Sequence, residues 1–432
     1  FAVAVGVGTV LLRLPVSHED DVGTSWLDAL FTATSAVCVT GLTVVDTGAH
    51  WSPVGEVVVL ALIQLGALGI MTLASMVALL LNRRLGLGTR VLAGSERTAA
   101  TAGEIRPLIV AVVKYSLAFE AVGAVLLYVG FVVIHGEGFA DAGWSAVFHA
   151  VSAFNNAGFG LLPDNLSSFV DDWWTNGVII TLVVSGGLGF PVLMELRRRL
   201  RHRGPIKPRL SLHSRLTLVT TAGLLVFGTV ALAFVEWSNP DTLGPMATAE
   251  KGLAALFQSV QTRTAGFNSI DIDAMNTTSW LIMSVLMFIG GGSASTAGGI
   301  KVTTFALIAL MIWSEIRGDD DVHVFGRRFS PRAQRRAVAI AAISLGAVVA
   351  GGMAVISLTS VDLDQSFFEV TSAFGTVGLS TGITATLPDS AKLVLVGLMY
   401  LGRLGPVTLG AALVLRERNL RFRYPEEQPI IG

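Results

Sequence analysis

Long apolar runs separated by short polar segments recur along the chain. The runs 107–134 and 172–196 enclose a shorter apolar segment, GWSAVFHAVSAF, at 143–154. A run of about 20 apolar residues is long enough to span a bilayer as a helix. The same order of long run, short segment and long run appears elsewhere in the sequence. It predicts helical hairpins, each with a third, shorter helix between its two arms.

The composition agrees with a membrane protein. Hydrophobic residues make up 52% of the 432 residues and charged residues 14%, and the mean hydropathy is +0.66. Soluble domains carry about 25% charged residues. We therefore expect a polytopic membrane protein.

The basic residues are clustered, and their spacing gives the topology. Of the 30 lysines and arginines, 23 lie in four clusters, at 83–106, 197–215, 317–336 and 416–423. The positive-inside rule places all four in the cytoplasm. If the short apolar segment also crossed the membrane, every second cluster would lie outside. The short segment must therefore enter from the outer face and return, which is possible only where protein or a wet cavity surrounds it. We expect a multi-pass protein of the plasma (inner) membrane.

The first apolar run, FAVAVGVGTVLL, is shorter than a full crossing. It lacks the basic n-region and the small-residue cleavage site of a signal peptide. We interpret it as a truncated first helix whose cytosolic tail is missing.

Four segments of the chain align on one glycine. They are TATSAVCVTGLT, HAVSAFNNAGFG, QSVQTRTAGFN and EVTSAFGTVGLS, with the glycine at Gly41, Gly158, Gly266 and Gly378. The residue six positions before the glycine is a serine in three of the four copies: Ser35, Ser152 and Ser372, with Val260 in the third copy. The alternative is chance recurrence of small residues in a glycine-rich chain, but each copy lies between two long apolar runs.

The residue types of these segments fit a cation filter. Backbone carbonyls replace the water that a cation sheds in a narrow pore, and glycine tolerates the backbone angles required. The predicted cation-binding residues are Val39, Thr40, Gly41, Asn156, Ala157, Gly158, Thr264, Ala265, Gly266, Thr376, Val377 and Gly378. One chain then supplies all four loops of a pore.

The predicted fold is an all-α polytopic membrane protein with four tandem M1–P–M2 units (helix, re-entrant pore loop, helix) around a pseudo-fourfold pore. The unit boundaries are 1–82, 104–200, 211–316 and 332–418, followed by a C-terminal tail at 419–432. The first helix of unit one is truncated, and the second helix of unit three is broken. Eight segments would cross the membrane.

Unusual residues lie at one depth below the predicted filter. Arg403 follows Gly378 by 25 residues, and the run GGGSASTAGG at 290–299 begins 24 residues after Gly266. Glycine-rich stretches lie at nearly the same offset in units one and two, at 66–69 and 185–191. If the units superimpose, these features face one another across the pore.

Arg403 has two open interpretations. A charge at the centre of a membrane helix costs about 2.5–3.5 kcal/mol, so a pore or cavity is the favoured setting. There the guanidinium would raise the barrier to cations, since it does not lose its proton. Alternatively, it ties down backbone carbonyls of a broken helix. Both hold if Arg403 binds carbonyls of the 290–299 run.

The 290–299 run interrupts a helix, because glycine and small polar residues favour a loop. Its residues are Gly290, Gly291, Gly292, Ser293, Ala294, Ser295, Thr296, Ala297, Gly298 and Gly299. The alternatives are a small-residue packing face and a phosphate-binding loop, which the lack of a GxxxxGK[ST] pattern excludes. Lys301 is a cytosol-side cation that either positions the loop or snorkels to the interface.

Several weaker signals complete the set. Asn155 and Asn156 either add side-chain oxygens to the ion path or, as is usual for buried amides, hydrogen-bond behind the filter. Arg263 is expected to brace the third pore loop from behind, and His149 to be a satisfied helix residue. The acids of 18–21 and 171–172 either concentrate cations at the outer mouth or belong to solvated loops.

The chain resembles the Trk/Ktr/HKT superfamily of potassium transporters and is most similar to the KtrB-type membrane subunit. The resemblance rests on the four filter segments, GGGSASTAGGIK, YLGRLGP and the FRYPEEQPIIG tail. It implies a homodimer in a lipid bilayer, a KtrA/TrkA-like cytosolic nucleotide-binding ring, and sodium stimulation. The 290–299 run would be a gating loop, glycine at all four filter positions would favour potassium, and Ile430, Ile431 and Gly432 would pack into the dimer interface. Any nucleotide is expected on the partner, with no organic cofactor on this chain and no nucleic acid.

Two other classes were weighed. A sodium-coupled symporter of an organic solute also has repeats and broken helices, but usually two inverted repeats, whereas these four share one orientation. A membrane-embedded hydrolase needs two acids, or a nucleophile with a base, in one span. No predicted span contains two carboxylates, or a serine and a histidine, at helical spacing. We therefore expect a transporter and not an enzyme.

Overall fold

The computed structural model describes residues 1–19, 23–90, 102–204 and 208–415. The predicted tail at 419–432 and the basic cluster at 416–423 lie outside the described residues. Within the described part the chain is helical, apart from a hairpin of strands β1 (His323–Val324) and β2 (Arg327–Arg328).

The helices form four successive groups, each with a first helix, a short pore helix and a second helix that is broken in units two and three. In order they are α1 (Ala2–Leu12), α2 (Trp26–Cys38), α3 (Thr47–His50) and α4 (Pro53–Arg90) in unit one; α5 (Ala102–Val129), α6 (Phe139–Asn155), α7 (Trp173–Leu188) and α8 (Phe190–Arg201) in unit two; α9 (Leu212–Glu236), α10 (Thr248–Gln261), α11 (Thr277–Phe288) and α12 (Val302–Arg317) in unit three; and α13 (Pro331–Leu358), α14 (Leu363–Gly375) and α15 (Asp389–Leu415) in unit four. A π-helical turn, Gly130–Ile134, follows α5, and short 3₁₀ turns lie at Pro15–Ser17, Ser167–Phe169 and Thr384–Thr386.

Side-chain caps fix where several helices begin. Ser25, Ser211 and Ser330 each accept a backbone N–H bond from the first turn of α2, α9 and α13. Such a cap satisfies one of the amide groups that a helix leaves unpaired at its start. The caps therefore separate the crossing helices and pore helices from the polar connections before them.

Four helices in the described residues are long and apolar enough to cross a membrane: α4, α5, α9 and α13. On α9 the outward side chains Val219, Val226 and Phe234 are exposed. A row of exposed large apolar side chains on a helix of this length is suited to contact with lipid. The chain is a multi-pass membrane protein.

Two second helices are broken. The pair α7 and α8 bends by 106° at Gly189, where φ is 93°. The apolar run 172–196 therefore forms two helices joined at a bend, and together they are long and apolar enough for one broken span. In unit three, residues 289–301 separate α11 from α12, as the glycine-rich run predicts.

The pore helices pack at the centre in a cyclic order. The second crossing helix of each unit contacts the pore helix of the next unit: α4 with α6, α7 with α10, α11 with α14, and α15 with α2. The last contact returns to unit one, so the four units close into a ring. The chain thus places four pore helices and their following loops around one axis.

Candidate functional site

Each pore helix is followed by a loop with the same backbone shape. We call these the pore loops: residues 39–41, 156–158, 264–266 and 376–378. Each begins with a left-handed residue and ends with a glycine of positive φ. The φ values are 56° and 93° for Val39 and Gly41, 59° and 71° for Asn156 and Gly158, 70° and 77° for Thr264 and Gly266, and 50° and 94° for Thr376 and Gly378.

The amide groups of the pore loops point back into the pore helices. In unit one the Thr40 N–H donates to the Ser35 carbonyl at 2.8 Å, and the Gly41 N–H donates to Ser35 Oγ at 3.1 Å. The N–H and C=O of a trans peptide point in opposite directions. The carbonyls of Val39 and Thr40 therefore point away from the pore helix, toward the centre of the ring. Unit four repeats both bonds with Val377, Gly378 and Ser372, at 2.9 and 3.1 Å.

The four glycines form a closed ring of contacts. A Cβ atom would lie 2.3 Å from the Ala157 oxygen if added at Gly41, 2.7 Å from the Ala265 oxygen at Gly158, 2.3 Å from the Val377 oxygen at Gly266, and 2.2 Å from the Thr40 oxygen at Gly378. No side chain fits at these distances, and positive φ also favours glycine. The carbonyl of each loop thus abuts the glycine of its neighbour, and the four loops close into a ring.

The second and third pore loops are braced differently. Ser152 Oγ donates to the Phe159 carbonyl at 2.7 Å. Unit three has Val260 at the serine position, and the neighbouring Gln261 instead accepts the Phe267 N–H through Oε1 at 3.2 Å. The sequence alignment missed Gln261, although a polar residue beside the absent serine was a usable signal.

An open cavity of about 570 Å³ lies on the glycine side of the pore loops and is lined by residues of all four units. Its acids are Asp46, Asp164, Asp271 and Asp273. Negative charge around such a mouth raises the local concentration of cations.

The predicted acidic residues at the outer mouth are not these. Asp172 caps α7 and lies 3.0 Å from His135 Nε2. Burial raises the pKa of Asp172, but hydrogen bonds from Thr175, His135 and Trp174 outweigh it, so the pKa lies below its usual range. Asp172 therefore caps α7 and is not among the residues that line the cavity. Of the 18–21 segment, Asp20 and Asp21 lie outside the described residues.

Residues 289–301, which we call the intramembrane loop, lie at the opposite end of the pore loops from the cavity. The Thr296 hydroxyl donates to Asn156 Oδ1 at 2.8 Å. A Cβ atom at Gly298 would lie 2.1 Å from Thr376 Oγ1. The loop therefore touches the first residues of the second and fourth pore loops, which are the inner ends of those loops.

Backbone hydrogen bonds attach the intramembrane loop to the break in unit two. The Gly292 N–H donates to the Gly187 carbonyl at 2.8 Å, and the Phe190 N–H donates to the Ala294 carbonyl at 3.1 Å. The bend between α7 and α8 thus provides the unpaired backbone groups that the loop needs. Neither contact was foreseen from the sequence.

Two cations hold the intramembrane loop from other directions. Arg403 is 2% exposed, and its Nη1 donates to the Thr296 carbonyl. Lys301 Nζ donates to the Ala297 carbonyl at 2.5 Å and lies 3.4 Å from that of Gly298. Among the described residues, Nε and Nη2 of Arg403 have no hydrogen-bond acceptor. The contact with Thr296 fits the interpretation in which Arg403 ties down a carbonyl of the 290–299 run.

The remaining predicted residues lie behind the pore loops. Asn155 Nδ2 donates to Gln64 Oε1 at 2.7 Å. Arg263 Nη2 donates to the Gly290 carbonyl at 2.8 Å, at the base of the intramembrane loop. His149 Nδ1 lies 2.8 Å from the Ser145 carbonyl within its own helix. Asn155 and Arg263 act on the protein framework, as the sequence suggested. His149 is bonded within its helix at Nδ1, but its Nε2 is buried without a partner among the described residues.

Glycines of the second helices explain the shared depth of the sequence features. A Cβ atom would lie 2.0 Å from the Val37 oxygen if added at Gly66, 1.9 Å from the Phe154 oxygen at Gly186, and 1.7 Å from the Phe374 oxygen at Gly402. In each case the partner is the end of the pore helix of the same unit. The small residues at this depth therefore let the second helix approach the pore.

Replacing Gly402 by alanine is expected to destabilise unit four, because the methyl group would collide with backbone. Overpacking of this kind costs about 1–3 kcal/mol. Gly397, on the same helix, has nothing within 4 Å of an added Cβ, so Gly397→Ala is expected to stabilise by about 0.5–1 kcal/mol. Thermal unfolding of both purified variants in detergent measures the difference. An equal melting temperature for the two would contradict the close packing.

Comparison with known proteins gives a consistent result. The TrkH family, described as a cation transport protein, matches residues 3–419. The chain is 38% identical over 432 residues to the Ktr system potassium uptake protein B of Bacillus subtilis (strain 168), covering 100% of this chain and 95% of that protein. It is 40% identical over 433 residues to the protein of the same name from Vibrio alginolyticus, covering 98% and 91%.

A solved structure shares the fold. The crystal structure of the potassium transporter TrkH from Vibrio parahaemolyticus superimposes with a TM-score of 0.73 over 96% of this chain and 82% of that chain, at 19% sequence identity. This likeness concerns the fold alone. It confirms the predicted all-α arrangement of four M1–P–M2 units.

Proposed function

The chain belongs to the TrkH family of cation transport proteins, and on that premise we propose that it takes up potassium across the plasma membrane through the four pore loops. The relatives named above are potassium uptake proteins. Potassium is the transported ion, and the twelve predicted filter residues bind it through their backbone carbonyls. Family membership supports transport, not enzymatic catalysis.

The ring of glycine contacts carries this proposal. Each pore-loop glycine abuts a carbonyl of the neighbouring loop, and in units one and four the backbone amides turn back into the pore helix. A narrow ring of carbonyls substitutes for the hydration shell of an alkali cation. Since the oxygens belong to the main chain, the side chains between them vary without loss of the chemistry.

The intramembrane loop is the gate in this proposal, together with Arg403 and Lys301. It lies against the inner ends of two pore loops, so an ion that leaves the filter meets it directly. Arg403 holds the loop at Thr296 and places a permanent positive charge in the path. Conduction then requires the loop to move away.

The assembly follows from the same premise. We assign the four units to 1–82, 104–200, 211–316 and 332–418, with the basic loops in the cytoplasm. Two chains form a homodimer, to which the tail at 419–432 contributes, and a KtrA/TrkA-like cytosolic ring binds the nucleotide and moves the gate. Sodium stimulates transport. The word "system" in the relatives' names supports a partner subunit.

Ion flux into liposomes tests the proposed function. The purified chain is expected to take up rubidium, and external potassium should compete with this uptake at lower concentration than sodium or choline. A sodium-coupled symporter would instead accumulate an organic solute when a sodium gradient is imposed and would take up rubidium no faster than empty liposomes. That second result would reject the filter.

A further inference from the structure

Glu369 is a buried acid on the pore helix of unit four. It has no solvent exposure, and it precedes Gly378 by nine residues. Its Oε1 accepts hydrogen bonds from the Thr381 N–H at 2.9 Å and the Ser380 hydroxyl at 2.5 Å. Its Oε2 accepts a hydrogen bond from the Thr384 hydroxyl at 2.8 Å. One carboxyl group thus holds three residues of the segment that follows the fourth pore loop.

The other three pore helices lack this connection. The equivalent positions are Thr32, His149 and Phe257. The hydroxyl of Thr32 and Nε2 of His149 are buried without a hydrogen-bond partner among the described residues, and phenylalanine has no polar atom. The fourth loop is therefore braced at a level where its three counterparts are not.

The braced segment lies at the mouth of the pathway. Ser380, Thr381, Gly382 and Thr384 line the outer cavity together with the four pore-loop glycines. On the same helix, Ser372 accepts the Gly378 N–H, so α14 fixes the fourth loop at two levels. Displacing the outer level would shift the backbone that leaves the glycine ring, because only two residues separate Gly378 from Thr381.

We propose that Glu369 is a positioning residue for ion selection: its carboxyl group holds the 380–384 segment and so sets the geometry of the fourth pore loop. This inference rests on the proposed potassium transport. A side-chain oxygen at this position is required to accept the buried Thr381 N–H, which would otherwise be left without a partner. Ion preference, and not only stability, therefore depends on this side chain.

Variants at Glu369 test the proposal in liposomes through the ratio of potassium to sodium uptake. Glu369→Leu removes both oxygens and is expected to lower this ratio about tenfold, as for loss of a buried hydrogen-bond network. Glu369→Gln keeps one oxygen for the Thr381 N–H and an amide for the Thr384 hydroxyl, so it is expected to keep most of the ratio. Thr384→Val should lower the ratio less than Glu369→Leu and add little to it in the double variant.

Glu236 is the matched control. It has no solvent exposure and accepts bonds from Thr242, Asn239, Asn276 and Ser279, but it does not line the cavity. Glu236→Leu is expected to lower thermal stability and leave the ion ratio unchanged. The proposal is overturned if Glu369→Leu keeps the wild-type ratio, or if Glu236→Leu lowers the ratio equally. Failure of the wild-type chain to take up potassium in these liposomes would overturn the transport function instead.

Discussion

Replacing Gly378 by serine is expected to reduce the preference for potassium over sodium by about ten- to a hundredfold. The backbone there has φ of +94°, and an added Cβ would lie 2.2 Å from the Thr40 oxygen. Left-handed backbone costs a non-glycine residue about 1–2 kcal/mol, and crowding adds about 1–3 kcal/mol. Displacing Thr40 to relieve this strain would widen the ring and weaken its preference for potassium. Each 1.4 kcal/mol of lost discrimination is about a tenfold loss of preference. Uptake of rubidium and of sodium into liposomes gives the preference.

Gly136 provides the control for this change. It also has positive φ, +70°, but nothing lies within 4 Å of an added Cβ. Gly136→Ser therefore carries the backbone strain without the collision, and its ion preference should equal that of the wild type. If Gly378→Ser also kept the wild-type preference, the assignment of the filter would be wrong.

Replacing Arg403 by alanine is expected to raise cation flux through the chain about tenfold. The change removes both the donor to the Thr296 carbonyl and a permanent charge below the filter. A hydrogen bond to a charged group contributes about 1.5–3 kcal/mol. Its loss therefore shifts the equilibrium between closed and open loop toward the open position by about tenfold or more. The rate of rubidium entry into liposomes at a fixed protein density is the measurement.

Two further variants separate the two actions of Arg403. Arg403→Lys keeps the charge but loses the planar donor arrangement, and we expect a smaller rise in flux than with alanine. Arg335→Ala, at an exposed position on α13, removes a solvent-exposed positive charge in place of a buried one and should leave flux unchanged. Equal flux in the wild type and in Arg403→Ala would reject a barrier role for the arginine.

The main architecture was accessible from the sequence because its chemistry lies in the backbone. A filter made of carbonyls needs glycine at a fixed position. The repeats are therefore recognisable from four glycines even where the neighbouring side chains differ: Gly41, Gly158, Gly266 and Gly378. The basic clusters predict the topology because a charge in a bilayer is costly, and this orientation stays a prediction. Family membership and the all-α fold are confirmed. The roles of individual filter and gate residues stay predictions.

Other features depended on contacts between distant segments. Gly189 in SGGLGFP gave a visible signal for a break in unit two, but nothing local indicated that the freed backbone would pair with the intramembrane loop. Gln261 replaces a serine from an adjacent position, which a strict alignment overlooks. The acids of the cavity come from loops whose course is set by packing, so the sequence pointed to Asp172, which instead caps a helix.

The base of the intramembrane loop has a mechanical consequence. The Gly290 N–H donates to the Ile300 carbonyl at 2.8 Å, and the Val302 N–H donates to the Gly291 carbonyl at 3.1 Å, so both ends of the loop are stapled together. Because its two ends are fixed to each other, the intramembrane loop is expected to move as one rigid unit and not to extend. The resistance of the loop to this motion then comes from its contacts with Asn156, Gly187, Phe190 and Arg403, and loss of any one of them lowers the free energy needed to open it.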